Sequence, residues 1–397
     1  MHASDTRRRR LFVASSVALV ATAVSFAIRG DILGDLRTAF SLSNEDLGKA
    51  AGAWAYGFTL SIFIGGQLVD LLGMKRIIAA AFVMHVIGVA LTIFASGFWM
   101  LFAGTLSVGL GNGLVEAFIN PLTATIYPDR KTEKLNQLHV WFPGGIVIGG
   151  LMAFALSRAG LDWQVKMAFI LLPTLAYGAL FLGQEFPPTE RVQQGVSTVG
   201  MYRAVLRPLF AVIVFCMILT ASTELATNQW LAYILSNTAG MAAGGILVLV
   251  WINGLMAVGR FFAGPMVDRL SPIGLLIGSA AVSAIGLVGL SAADSAWTAI
   301  AAATLFAIGI CYFWPTMLGV TSERFPEGGA LALAIVGGTG TLSAAIFTWI
   351  LGGLYDRAGP RLALRYMALL PVILIVVFTA IWLHDRRRAS GHPPPTR

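Results

Sequence analysis

"GGQLVDLLGMKR", Gly65 to Arg76, lies between two long apolar runs and returns in part as "AGPMVDRLSP", Ala263 to Pro272. Asp70 and Asp268, one in each copy, stand 198 positions apart. A second echo keeps the same offset, pairing Tyr127 of "YPDR" with Phe325 of "SERFPEGG". A repeat on this scale predicts two related halves with a single pathway and its site between them. In each copy glycine allows neighbouring segments to approach closely, the aspartate falls at a helix end, and cations follow.

The composition says which solvent surrounds those halves. Of 397 residues, 57% are hydrophobic and 12% are charged, where soluble domains carry roughly a quarter. A globule of this size cannot hide so much apolar surface from water, so the solvent is lipid. The net charge of +8 raises nucleic acid as a partner, but the cations cluster at the ends and in short connections. No basic face interleaves with aromatics, and no nucleic acid is expected. Cys216 and Cys311 lie in apolar runs and offer neither a disulfide framework nor metal-ligand spacing; no metal or cofactor is expected. The basic run Arg7–Arg10 precedes an apolar stretch without a small-residue cleavage site, which is read as a retained first span.

Twelve apolar windows follow, from Leu11–Ile28 to Tyr366–Trp382, with Met241–Ala263 as the eighth. Most approach the ~20 residues that a helix needs to cross hydrocarbon, and such segments must satisfy their own backbone bonds, as helices do. An even number puts both termini on one side. With that side cytoplasmic, 18 Lys and Arg fall inside and 8 outside, leaving out Arg260, which lies within a span; cytoplasmic loops should be the richer. The longest polar connection divides the spans six and six. The expected units are an N-terminal bundle 1–183, a cytoplasmic linker 184–207, and a C-terminal bundle 208–397 with a short basic tail.

The stretch Gly66–Arg76 resembles the loop signature of the major facilitator superfamily, and Gly264–Arg269 is a weaker copy of it. The resemblance implies an all-α integral membrane fold, twelve transmembrane helices in two pseudo-symmetric bundles, working by alternating access as a monomer. It also implies that Gly66, Asp70, Gly73, Lys75 and Arg76, with Asp268 and Arg269, latch the two halves and do not touch the solute.

Polar residues inside the spans are few. Asn112, Glu116 and Asn120 recur at intervals of four, on one helix face. Asn136, His139 and Trp141 open the fifth span; Glu224, Asn228 and Trp230 lie in the seventh; Asn253 and Trp314 lie in the eighth and tenth. A charge at the bilayer centre costs from ~3 to more than ~10 kcal/mol. Glu116 therefore faces a cavity, ties two helices together, or gains and loses a proton.

"EAFINP" followed by "LNQLHVWFPGG" is similar to the fucose–galactose–glucose:proton symporter branch of that superfamily. "GDILGDLRTAFSLS" and "STELATNQW" resemble its first and seventh helices. The branch implies a sugar-binding central cavity and two essential acids, matching Asp31 and Glu116. It places Glu224 and Asn228 toward the cavity. The branch's glutamine and asparagine in span five stand here as His139 and Phe142, which leaves the identity of the sugar open. A surface position, or pairing with Arg29, is the alternative for Asp31. His139 is compatible with a proton carrier, a sugar contact or a packing residue. Trp141, Trp230 and Trp314 offer faces for a pyranose.

The leading expectation is a proton-coupled symporter for a small polar solute, a sugar or polyol, in the plasma (inner) membrane. Drug or metabolite efflux by proton antiport is the alternative, although the amide-rich interior favours a hydroxyl-reading cavity. A non-transporting receptor is a third. No HExxH, GxSxG or GxxxxGK[ST] is present, so an enzyme is not expected.

Overall fold

In the computed structural model the apolar windows are helices, and the described residues include no strand. The structure describes residues 5–42, 44–238 and 245–390. The start of the eighth window at Met241 and the end of the basic tail, with Arg397, lie outside them. Helix is what hydrocarbon demands, because each segment then satisfies its own N–H and C=O groups. Among the described residues eleven helices are long and apolar enough to cross a membrane, twelve if the bent pair Val250–Phe261 and Ala263–Leu270, which meet at 63°, counts as one span. The chain is an all-α, multi-pass membrane protein.

Side-chain contacts show which helix ends lie together. Arg7 bonds to Glu185, beyond the sixth span. Arg8 lies over Tyr127 at the end of the fourth, and Arg324, ending the tenth, pairs with Asp385. This end of the bundle, called basal below, therefore carries both ends of the described chain; the opposite end is called distal.

The sequence echo is an echo of backbone. Phe98–Ile126 ends at Tyr127 with φ −131° and ψ 62°, followed by a 3₁₀ turn at Pro128–Arg130. Ala296–Arg324 ends at Phe325 with φ −130° and ψ 54°, followed by a 3₁₀ turn at Pro326–Gly328. Likewise Gly73 has φ +84° and Ser271, at the matching position, φ +61°. A left-handed residue breaks each helix just after its aspartate, and glycine reaches that conformation without strain.

The connection 184–207, expected as a polar divider, folds onto the basal face. It forms two short helices, Glu190–Gln193 and Thr198–Val205, and its Arg191 is 6% exposed. The hydrocarbon-facing surface remains apolar, which is why Leu151, Trp297 and Trp349 are exposed in a protein that needs no water there.

Candidate proton and solute site

Glu116 lies on Phe98–Ile126, about ten residues and thus ~15 Å from the basal end of that helix. It is 4% exposed. Its Oε2 accepts a hydrogen bond from Asn120 Nδ2 at 2.8 Å, one turn on. Asn120 Oδ1 lies 3.0 Å from His139 Nε2, and that nitrogen is 4.0 Å from Glu116 Oε2. With the Asn120 amide turned this way its oxygen can only accept, so His139 carries a proton on Nε2. His139 itself is the residue that ends the helix Lys131–Leu138, just before Trp141–Arg158 begins. The break in the fifth span thus aims an imidazole at the fourth.

The second buried acid is Glu224. It sits in a π-helical turn, Ser222–Ala226, between Pro208–Ala221 and Thr227–Thr238. Such turns displace side chains from the helical register and recur at functional sites. Glu224 Oε1 accepts from Arg260 Nη2 at 2.7 Å, and Oε2 accepts from the Trp314 N–H at 3.3 Å. Arg260 is 1% exposed. Its Nε donates to the Cys311 carbonyl at 2.6 Å and its Nη1 to the His139 carbonyl at 3.0 Å. A polar chain therefore runs from Glu116 through Asn120 and His139 in one half to Arg260 and Glu224 in the other. A second cross-half bond joins Asn136 Nδ2 to Thr316 Oγ1 at 3.1 Å.

Arg260 is the residue that the sequence analysis set aside. Its signal was visible: a guanidinium inside an apolar window cannot lose its charge and must find an anion and carbonyls.

Other expected residues fall elsewhere. Asn112 is fully buried, donating to Ser25 Oγ at 2.9 Å and contacting His85 Nε2 at 2.7 Å. His85 Nδ1 meets the Tyr177 hydroxyl at 2.9 Å. This network is closed within the first half, so Asn112 shares a helix face with Glu116 but not a set of partners. Asp31 is not brought to Glu116. It lies at the distal end of the first helix, bonded to Lys166 Nζ at 2.8 Å, with Asp35 3.7 Å from the same nitrogen. The pairing of Asp31 with Arg29 does not form; Arg29 instead lies over the Trp54 ring, 4.8 Å from its centroid.

In the second half Asn253 is buried and Asn228 half-buried, with Asn228 Oδ1 lacking a partner. Trp230 donates to the Thr348 carbonyl at 3.0 Å and its ring lies 6.0 Å from that of Tyr355. Trp314 is 8% exposed beside Glu224, whereas Trp141 is 41% exposed at the start of its helix.

At the basal end the two signature copies differ. Asp70 is bonded to Arg191 Nε at 2.7 Å and to the Thr189 hydroxyl. Gly66 rests against the eleventh helix, where a methyl on it would come within 2.1 Å of Ala334 Cβ. Lys131 bonds to Glu190 at 2.6 Å and to the Ser322 carbonyl at 3.3 Å, and Thr132 bonds to Glu323. By contrast Asp268 and Arg269 are exposed, as are Lys75 and Arg76. In the second copy Gly264 lies against the Glu133 side chain of the other half. The described polar contacts between the halves run from the level of Arg260 to this end. No group of three His, Cys, Asp or Glu among the described residues is placed to hold a metal.

Comparison with known proteins gives the setting. The model of the Major Facilitator Superfamily matches residues 10–272 and 252–397. Protein TsgA of Salmonella schwarzengrund is 22% identical over 98% of this chain and 99% of its own. Myo-inositol transporter 1 of Candida albicans is 25% identical over 32% of this chain and 24% of its own. Among solved structures, the E. coli fucose:proton symporter FucP superposes with a TM-score of 0.79 at 16% identity, covering 93% of this chain and 97% of the other. The proton:xylose symporter XylE superposes at 0.77 and 15% identity, covering 94% and 95%. These likenesses concern the fold.

Proposed function

The chain belongs to the Major Facilitator Superfamily and is a membrane transporter, not an enzyme; on that premise we propose that it is a proton-coupled symporter for a small hydroxylated solute, a sugar or polyol. It lies in the inner membrane with the basal, cation-rich end cytoplasmic, and it works as a monomer by alternating access between its N-terminal and C-terminal bundles. The solved symporters with the same fold take fucose and xylose with a proton, and a relative of part of the chain is a myo-inositol transporter.

The observation that carries this reading is the chain Glu116–Asn120–His139–Arg260–Glu224, which joins the buried acid of one half to that of the other. An ionised Glu116 only accepts hydrogen bonds. A protonated Glu116 keeps an acceptor oxygen and adds one O–H donor; with the proton on Oε2, the oxygen that faces Asn120, the Asn120 amide turns to receive that bond. Its oxygen then leaves His139. His139 in turn holds Arg260 through its backbone carbonyl, so a proton on Glu116 disturbs the contact between halves. Solute binding shifts the same equilibrium through its unequal affinity for the two states. Asn120, Asn136, Asn228, Asn253 and Trp314 supply hydroxyl partners and an aromatic face. Asp31 acts at the distal mouth, where Lys166 holds it.

The test is Glu116→Gln, a permanently neutral stand-in for the protonated acid. In proteoliposomes with an imposed pH gradient, the variant is expected to bind and exchange solute while losing uphill accumulation. Normal accumulation by the variant would remove Glu116 from the coupling.

A further inference from the structure

Arg29 is a guanidinium on the first membrane-spanning helix that has no hydrogen bond and no ion pair among the described residues, and its Nε is buried without a partner. Beside it the indole Nε1 of Trp54 is also buried and unpartnered, although Arg29 lies 4.8 Å from the centroid of that ring. The nearest acids in sequence are already taken, since Asp31 and Asp35 both lie against Lys166. Arg29 keeps its charge in every state. An unpaired buried charge in a membrane protein is expensive, and two orphaned donors side by side call for one acceptor group.

The surroundings place this pair on the inner face of its half. Phe26, one turn from Arg29, meets Trp54 of the second helix at 5.6 Å and Phe142 of the fifth at 6.5 Å. Trp54 packs on Phe58, at one end of a cluster with Ile62, Ala117 and Ala334, the last from the opposite half. Arg29 as a whole residue is only partly buried. In the second half, the 198-residue offset carries Arg29 onto Thr227. There the orphaned atoms are Ser222 Oγ, Thr227 Oγ1 and Asn228 Oδ1, two hydroxyls and an amide oxygen without a fixed charge, which suit hydroxyl groups.

We infer that the solute is a sugar acid, a polyhydroxylated monocarboxylate, with its carboxylate on the Arg29 guanidinium and the Trp54 N–H and its hydroxyls toward Ser222, Thr227 and Asn228. This rests on the symport reading above and narrows its substrate class. A planar fork matches a carboxylate in two parallel bonds. A neutral hexose leaves the charge of Arg29 without a counter-charge.

The experiment is calorimetric titration of the detergent-purified protein with matched pairs: D-gluconate against sorbitol, and D-galacturonate against D-galactose. An acid of this set is expected to bind at least about tenfold tighter than its neutral partner, the factor that one charge-assisted bond supplies. Arg29→Gln is expected to weaken the acid by roughly 10- to 100-fold and to leave the neutral compound unchanged. Trp54→Phe, which keeps the ring and removes only the N–H, is expected to weaken the acid by about fivefold, and it decides the matter should Arg29→Gln fail to fold. Equal affinity for acid and neutral partner, no binding of either acid, or full acid affinity in both variants would overturn the inference. The proton reading fails separately. Proton-driven uptake of a neutral sugar would keep symport and sink the carboxylate site, whereas Arg29-dependent acid binding without proton movement would do the reverse.

Discussion

Arg260 and Glu224 form an ion pair of 2.7 Å in which both side chains are at most 3% exposed, and the same guanidinium reaches the His139 carbonyl of the other half at 3.0 Å. A pair buried this deeply costs desolvation, so it is poor evidence for stability. Its geometry makes better sense as a joint whose position depends on which half it holds.

That view makes the two single losses unequal. Glu224→Gln removes the negative partner and leaves Arg260 buried and charged, a change worth ~3–5 kcal/mol. Arg260→Met leaves an acid that can take up a proton and become neutral. Glu224→Gln is therefore expected to lower thermal stability in detergent more than Arg260→Met does. Both are expected to abolish transport, and the double variant is expected to recover stability without activity. Equal destabilisation by both, or additive loss in the double variant, would contradict this account.

At the basal end Asp70 is held by Arg191, with the carboxyl 1% and the guanidinium 7% exposed. Because the partner comes from the linker, the bond clamps that segment between the halves. Asp70→Asn is expected to open this end. Measured with a maleimide on Ala334→Cys, labelling should rise by about an order of magnitude, whereas Asp268→Asn should leave it unchanged because Asp268 is exposed. Slow labelling in Asp70→Asn would show that the pair holds the linker and not the gate.

Much of this architecture was legible in the sequence for physical reasons. Lipid permits few solutions, so the window lengths and the offset between Asp70 and Asp268 carried the fold and the equivalence of the halves. Glu116 and Glu224 stood out because carboxylates in apolar runs are rare. Pair identities were not legible. Nothing local says that Asp31 meets Lys166, which lies 135 positions away, or that Asn112 closes onto Ser25 while Asn120 faces His139. Those choices follow from helix rotation and tilt, which are set by packing in three dimensions. The π turn at Ser222–Ala226 is hidden for the same reason, since it alters the register without changing composition.

The two glycines of the signature copies give a last contrast. A methyl on Gly66 would stand 2.1 Å from Ala334 Cβ and 3.0 Å from the Ala330 carbonyl oxygen. Neither atom can move away without shifting the eleventh helix. The three atoms nearest a methyl on Gly264 would all belong to the Glu133 side chain, at 3.2 Å and beyond, a contact with a side chain and not with backbone. Overpacking against backbone costs ~1–3 kcal/mol, enough to change a two-state population by roughly 5- to 150-fold. Gly66→Ala is therefore expected to disfavour the state closed at the basal end, reducing uptake and raising maleimide labelling of a cysteine beside it, for which Ser322→Cys serves. Gly264→Ala is expected to transport within about twofold of the parent, since a flexible contact at this distance gives way at little cost. Equal loss of uptake in the two variants would mean that the contact at Gly66 is not what holds this end shut.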